Sequence, residues 1–158
     1  MGNAIVSRNA IQDVRIHSLS DVKRRFLMEA LIPANGEILH VFSTHLIHTH
    51  QQPSEIQELQ AKRLAELIPK EHALLGADLN ATPESATVGV LKHAMVSTDS
   101  AFDPTWGVYP EGCPVCKPQA IDTRLDYLFV TKDLRFNSFK VHESKGSDHL
   151  PISVVIEV

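Results

Sequence analysis

Cysteine is scarce in this chain, basic charge is not in excess, and no apolar run approaches the roughly 20 residues a membrane span needs. Each absence excludes something. The only two thiols are Cys113 and Cys116, in the run Gly-Cys-Pro-Val-Cys-Lys. They are too few for a disulfide framework, and a zinc site built on them would need two further ligands. Those would have to be histidines such as His93 or His142, or residues of another chain, so reduced thiols or a local staple are expected ahead of zinc. Pro114 and Pro118 place the pair in a loop rather than at the strand-to-helix junction of a redox Cys-X-X-Cys. The net charge of −4 argues against a tight, nonspecific nucleic-acid binder, which is normally basic. It leaves a phosphodiester substrate open, because carboxylates that hold a metal make the apoprotein acidic and the bound cation reverses the local field. The segment Met1 to Arg8 lacks the basic and long apolar regions of a signal peptide, so a cytoplasmic location is expected.

What is present is ordinary for one α/β domain: 43% hydrophobic and 22% charged residues, with no repeats or low-complexity segments. Ala4 to Arg8 and Val14 to Leu19 read as short strands. Phe26 to Pro33 and Ile38 to Leu46 read as a hairpin turned at Asn35-Gly36. A helix is predicted from Ser54 to Ile68, opened by a capping box of Ser54 and Gln57, with an apolar stripe of Ile56, Leu59, Leu64, Leu67 and Ile68. Ala73 to Leu79 reads as a buried strand. A second helix is predicted from Thr82-Pro83 to about Met95. Val96 to Thr123, rich in Pro and Gly, is predicted to be irregular. Arg124 to Val130, Phe136 to Glu143 and Ile152 to Val158 read as strands.

Several short segments gather acids, amides and imidazoles at strand ends. In Gly76-Ala77-Asp78-Leu79-Asn80, Asp78 and Asn80 share a face if the strand persists that far. A carboxylate beside an amide oxygen suits a hard cation, and an amide can orient a water or phosphate oxygen; the same residues are also common turn formers. In Arg124 to Val130, alternation puts Asp126 on the face of Leu128 and Val130, where an unpaired carboxylate is costly. Its partner is either a base such as Arg124, or a histidine that it orients and keeps cationic. In Gly146-Ser147-Asp148-His149, Asp148 can ligate metal and His149 can contact a phosphate, with a plain turn as the competing reading. Ser43 to His50 carries His45, His48 and His50. These could bind a transition metal, although hydrogen bonding at a surface or core position is the commoner role for His48 and His50.

Taken in order, five motifs make a pattern. They are Gly-Asn-Ala-Ile-Val-Ser-Arg from residue 2, Ser-Thr-His-Leu from 43, Gly-Ala-Asp-Leu-Asn-Ala-Thr-Pro from 76, Arg-Leu-Asp-Tyr-Leu-Phe-Val from 124 and Ser-Asp-His-Leu-Pro-Ile from 147. The series resembles the endonuclease/exonuclease/phosphatase superfamily from Gly2 to the C-terminus. The resemblance implies a four-layer α/β sandwich, two packed mixed sheets flanked by helices. It also implies Mg²⁺- or Mn²⁺-dependent hydrolysis of a phosphoester by in-line attack of water, the ester being nucleic acid, a lipid headgroup or a small phosphate ester. Carried over by motif, Asp78 positions or deprotonates the water, Asn80 contacts metal or phosphate, and His149 binds the phosphate while held by Asp126. His45 and, more loosely, Arg25 contact the phosphate, and the implied metal set is Asp78, Asn80, Asp148 and His149. Such chemistry needs positioning and charge stabilisation rather than a protein nucleophile.

The resemblance further implies an Asn-bearing strand and a Gln-Glu segment, whose Glu is a principal metal ligand, upstream of Gly2. Before Arg25 the only acids are Asp13 and Asp21, neither in that context, and Glu29 is an unsupported substitute. Residues 1–158 are therefore expected to be the C-terminal two-thirds of such a domain, N-terminally incomplete. Weakened metal binding and turnover are expected, with a catalytically impaired pseudoenzyme or partner-binding remnant as the alternative. An apolar face or open strand edge is expected too, inviting self-association. The loop from Ala101 to Gln119, with Phe102, Trp106 and Tyr109, is the local contributor to substrate choice, through stacking or by anchoring itself to the core.

Overall fold

Asn35 and Gly36 both adopt left-handed backbone, with φ of 49° and 92°. That is the two-residue loop whose twist matches an antiparallel hairpin, and it joins β2 (Arg25–Ala34) to β3 (Glu37–His45). The computed structural model describes residues 2–107 and 120–158. β1 (Asp13–Ser20) flanks β2, and β4 (Ala73–Asp78) runs parallel to β3, the crossover between them being α1 (Glu55–Leu67). β6 (Asp126–Val130) lies antiparallel to β4, and the short β5 (Val96–Ser97) closes the far edge, giving the order β1-β2-β3-β4-β6-β5. α2 (Ala86–Ala94) connects β4 to β5, while β7 (Arg135–Val141) and β8 (Ile152–Glu157) pair as a second sheet. The chain is thus of the expected α/β class with two sheets. Among the described residues no helix is long and apolar enough to cross a membrane.

Alternation divides the six-stranded sheet into two apolar faces. Leu27, Phe42, Leu75, Tyr127 and Phe129 pack with Leu64 of α1 and Val88 and Leu91 of α2 in the larger core. On the opposite face, Leu39, Val41, Leu74 and Val130 meet Phe136, Ile156 and Val158 of the small sheet. The small sheet does not cover the whole of that face. Toward β1, Val14, Ile16 and Phe26 are each about half exposed (52%, 56% and 48%), so the expected apolar face is present.

The local expectations fail in three places, each for a packing reason. Ala4 to Arg8 joins no ladder, because both edges of β2 are taken by β1 and β3; instead Asn3 Nδ2 and Asn9 Nδ2 donate to the carbonyls of Phe26 and Pro33. The second helix begins at Ala86 with Ser85 as its N-cap, accepting from Val88 N, and Thr82-Pro83 forms the preceding turn. In α1, Leu59 is 60% exposed, while the buried residues are Gln57, Gln60, Ala61 and Leu64. Ser54 caps the helix by accepting from Gln57 N, but the Gln57 side chain does not return the bond. Its Nε2 lies 2.8–3.1 Å from the carbonyls of Ile47, Leu79 and Asn80, and its Oε1 accepts from Thr87 Oγ1. Gln60 accepts from Ile47 N and donates to Lys23 O. The amides sit inside because the loops at the strand ends present backbone groups that need partners.

Gln57 therefore ties both helices to the loops after β3 and β4. Replacing it by leucine keeps the volume and strands those carbonyls, and urea unfolding of Gln57→Leu is expected to show a loss of about 1–3 kcal/mol.

Candidate active site

The centre of the site is set by strand register. Asp78, the last residue of β4, stands directly opposite Asp126, the first of β6. Gly76 and Leu128, then Leu74 and Val130, follow on the same face toward the small sheet, and the missing side chain of Gly76 leaves the space that Leu128 fills. Two carboxylates opposed on one face repel, and burial adds to the cost. Asp78 is accordingly raised from the ordinary Asp value, first by burial and then by the charge of Asp126.

His149 answers that charge. Its Nδ1 lies 2.8 Å from Asp126 Oδ2 and its Nε2 lies 3.9 Å from Asp78 Oδ2, so the ring bridges the two acids. Burial alone would favour the neutral imidazole, but the Asp126 hydrogen bond and the surrounding carboxylates outweigh it and raise the His149 pKa. Arg124, the alternative partner for Asp126, is engaged elsewhere: its guanidinium is buried, 2.7 Å from Asp99 Oδ2 and 2.8 Å from Asp103 O. Thr105, which the sequence offers no reason to single out, completes the Asp126 environment. Its Oγ1 donates to Asp126 Oδ2 at 2.7 Å and accepts from the backbone N–H groups of Leu125 and Asp126.

Asn80 reaches the site by a different route from the one alternation suggests. β4 ends at Asp78, and Asn80 turns into the left-handed region at φ 50°, a conformation Asn tolerates better than most residues. Its backbone N–H donates to Asp78 Oδ1. Its side-chain Nδ2 donates to Leu46 O at 3.1 Å, which fixes the amide orientation, and to His45 Nε2 at 2.8 Å. Oδ1 then faces His48 Nδ1, whose ring continues to His50. An accepting Nε2 requires neutral His45, in accord with its lowered pKa, for which burial is the leading cause and Arg25 and His149 are contributors. Nε2 of His45 also lies 3.4 Å from Asp78 Oδ2. Arg25 and His45 line one groove of about 330 Å³ beside Phe26 and Met28.

The structure thus brings together Asp78, Asn80, Asp126, His149 and His45, with Arg25 at the margin. Among the described residues, Asp78, Asp126 and His149 form a group able to hold a metal ion, their ligand atoms lying within 4.8 Å of one another. Paired, crowded carboxylate oxygens with a raised Asp78 pKa are a donor set that a cation would relieve. Asp148 does not join that group: its carboxylate accepts from Trp106 Nε1 at 3.4 Å and from Ser147 Oγ. Glu29 serves a separate cluster. It is buried between His17 Nε2 and His40 Nδ1 at 2.8 and 2.7 Å, and those hydrogen bonds outweigh its burial to lower its pKa. Trp106 bridges Thr123 and His149 through its backbone, and Phe102 packs against the larger core under Lys92; both anchor the loop. Cys113, Cys116 and Tyr109 lie outside the described residues.

Because the folded pKa of His149 lies above its unfolded value, the ionised ring contributes stability that is fully present below about pH 6.5 and is lost as pH rises through the folded value. In the metal-free protein, an NMR pH titration is expected to place His149 above the ordinary histidine range and His45 below it. Asp126→Asn is expected to bring His149 down.

No curated protein matches the sequence. Solved structures share the fold at low identity. An endonuclease/exonuclease/phosphatase from Bacteroides vulgatus superposes with a TM-score of 0.71 at 19% identity, over 94% of this chain and 66% of its own. The mannosyl-6-phosphatase of Bacteroides thetaiotaomicron gives 0.67 at 16%, over 94% and 67%. D. rerio TDP2, solved with a single-strand DNA product, gives 0.69 at 16%, over 94% and 68%. The chain therefore spans about two-thirds of the length of these proteins. The model of the Endonuclease/Exonuclease/phosphatase family matches residues 1–149, nearly the whole chain and every residue of the Asp78–Asp126–His149 cluster, and the chain belongs to that family.

Proposed function

We propose that this chain carries the hydrolytic centre of a metal-dependent phosphoesterase of nuclease or phosphatase type. The observation that carries the reading is the line Asp126–His149–Asp78, in which one imidazole is held at 2.8 Å by the first acid and faces the second at 3.9 Å. A histidine so held stays cationic and orientable, which suits it to bind a phosphate and to meet negative charge developing on it. Asp78, crowded and with its pKa raised, is placed to align or deprotonate an attacking water. His45 and Asn80, locked to each other at 2.8 Å, present polar edges on the same side, and Arg25 supplies a fixed positive charge to the groove at His45. Asp78 and Asp126 would hold the ion, with Asn80 and Asp148 as the further ligands that the motifs imply, and the cationic His149 would be left to the phosphate. A bound Mg²⁺ or Mn²⁺ would supply Lewis-acid stabilisation of the phosphoryl oxygens, and the oxygen-rich donor set favours these hard cations over softer metals.

Mg²⁺-dependent hydrolysis of an aryl phosphomonoester or phosphodiester tests the reading. Activity is expected to vanish with chelator and return with Mg²⁺ or Mn²⁺. Asp78→Asn and His149→Ala are each expected to lower kcat by about 10²–10³, with a smaller change in KM. A folded wild-type chain that hydrolyses neither ester, with either ion in excess, would reduce it to a noncatalytic relative. For association, the half-exposed Val14, Ile16 and Phe26 support contact between copies; sedimentation is expected to depend on concentration, and Ile16→Lys to abolish that dependence.

A further inference from the structure

The hydrolytic centre as described makes no use of His48 and His50, yet neither ring is idle. His48 Nδ1 lies 2.9 Å from Asn80 Oδ1, and His48 Nε2 lies 3.1 Å from His50 Nδ1. The two rings meet edge to face, their centroids 4.4 Å apart and their planes at 81°. Hydrogen bonds thus join His45, Asn80, His48 and His50 into one line running outward from the site. The loop is shaped for this. His50 and Gln51 take left-handed backbone, φ 52° and 57°, and Gln52 N closes the turn by donating to Thr49 O. Two successive non-glycine residues in that region are unfavourable, and such strain gathers at functional sites.

The protons of the line follow from one fixed point. A backbone carbonyl only accepts, so the contact of Asn80 Nδ2 with Leu46 O settles which end of the amide is nitrogen. Both Nδ2 protons are then spent, one on Leu46 O and one on His45 Nε2. The Asn80 backbone N–H is spent too, on Asp78 Oδ1. Oδ1 is left as an acceptor, and His48 must meet it with an N–H at Nδ1. Asn80 is only 4% exposed, so without His48 its oxygen would have little water to turn to. What the amide keeps for the site is the second lone pair of Oδ1, an acceptor suited to a cation or a water and not a donor suited to a phosphate oxygen.

The effect reaches His45. Its Nε2 lies between Asn80 Nδ2 and Asp78 Oδ2, at 2.8 and 3.4 Å. While the amide is held, Nε2 accepts and the ring carries its proton on Nδ1. An amide that tips or turns releases Nε2 to take up a proton and bind Asp78, occupying the carboxylate assigned to water and cation. We propose that His48 is a positioning residue of the hydrolytic centre, which acts through its Nδ1–H bond to hold the Asn80 amide and, through that amide, His45. The inference rests on the phosphoesterase reading for what is positioned. Outer hydrogen bonds of this kind, when removed, commonly change metal affinity or activity by about 10- to 100-fold.

The test compares His48→Leu with His48→Asn in the full chain. Both side chains branch at Cγ, but only asparagine places an N–H donor where Nδ1 stands. NMR of the metal-free chain follows solvent exchange of the Asn80 and Gln57 side-chain amides, and hydrolysis of phenyl phosphate with Mn²⁺ follows the reaction. In His48→Leu the Asn80 amide protons are expected to exchange about tenfold faster than in the wild type. The Gln57 amide, bonded to other carbonyls of the same loops, is expected to keep its protection, which a general loosening would not allow. His48→Leu is expected to lower kcat about tenfold with a smaller change in KM, and His48→Asn to recover most of it. If His48→Leu does not fold, His48→Gln takes its place with the same expectations, since its amide reaches the position of Nε2 and misses that of Nδ1. An active wild type whose donor-lacking and Asn variants share one kcat overturns the inference alone, as does unchanged exchange at Asn80 in the donor-lacking variant. A wild type that hydrolyses neither phenyl phosphate nor its diester sinks the phosphoesterase reading, and the inference with it.

Discussion

Asp78 and Asp126 face each other across the β4–β6 ladder, and the architecture around them is organised to keep two negative charges at that position. A cross-strand pair of like charges is unfavourable even in solvent, and here both groups are more than half withdrawn from it. The compensation is specific. Asp126 receives Thr105 Oγ1 and His149 Nδ1 on the same oxygen, at 2.7 and 2.8 Å. Asp78 receives the Asn80 backbone N–H, and two imidazoles lie within 4 Å of its other oxygen. The residual imbalance appears as the raised Asp78 pKa. Such a site offers a donor set that a cation would relieve, and the pKa values of its imidazoles are shifted in opposite directions by their neighbours. The His149 pKa is raised by its carboxylate neighbours against the effect of burial, and the His45 pKa is lowered, first by burial.

Holding those groups in place falls to residues with no chemical role. The strand ends present His45, Asp78 and Asp126, but the remaining contributors arrive on loops. Gln57 and Gln60 reach out of α1 to satisfy loop carbonyls and N–H groups, replacing the apolar contacts a helix would ordinarily use there. The Arg124–Asp99 pair, with side chains only 2% and 5% exposed, fastens the start of the 99–107 segment to β6. Removing one member of such a pair strands the other and is commonly worth about 3–5 kcal/mol. The same segment then lies between Thr123 and the 148–150 turn, with Trp106 bridged to both sides and Leu150 N donating to Thr105 O. His149 is therefore positioned from β6 through Thr105 and Trp106. The 147–150 turn alone would not place it.

Much of this was legible from residue order. A short apolar run marks β4, alternation marks β6 and β8, Asn35-Gly36 marks the hairpin, and Ser54 marks the start of α1, because each of these depends on neighbours within a few residues. The site motifs were legible for a related reason: each places its polar residues at the end of a strand whose apolar character is evident. Where the reading went astray, a distant partner decided the outcome. The stripe drawn on α1 included Leu59 and excluded Gln57 and Gln60, since nothing in the helix itself discloses that loops 10 to 37 residues away need amide partners. Asn80 was placed by strand alternation, whereas a left-handed turn delivers it. Thr105 carries no local signature at all.

By itself, then, the sequence determined most of the strands, both helices to within a few residues and the identity of the polar residues at their ends, since propensity, periodicity and turn chemistry act over short separations. Only the tertiary structure decided which of those residues meet. The β4–β6 register sets Asp78 against Asp126, the burial of Arg124 with Asp99 frees Asp126 for His149, and the turn at Asn80 locks His45. Each is a contact between segments far apart in the chain. Its energy comes from desolvating and pairing charges, which no local pattern of residues records.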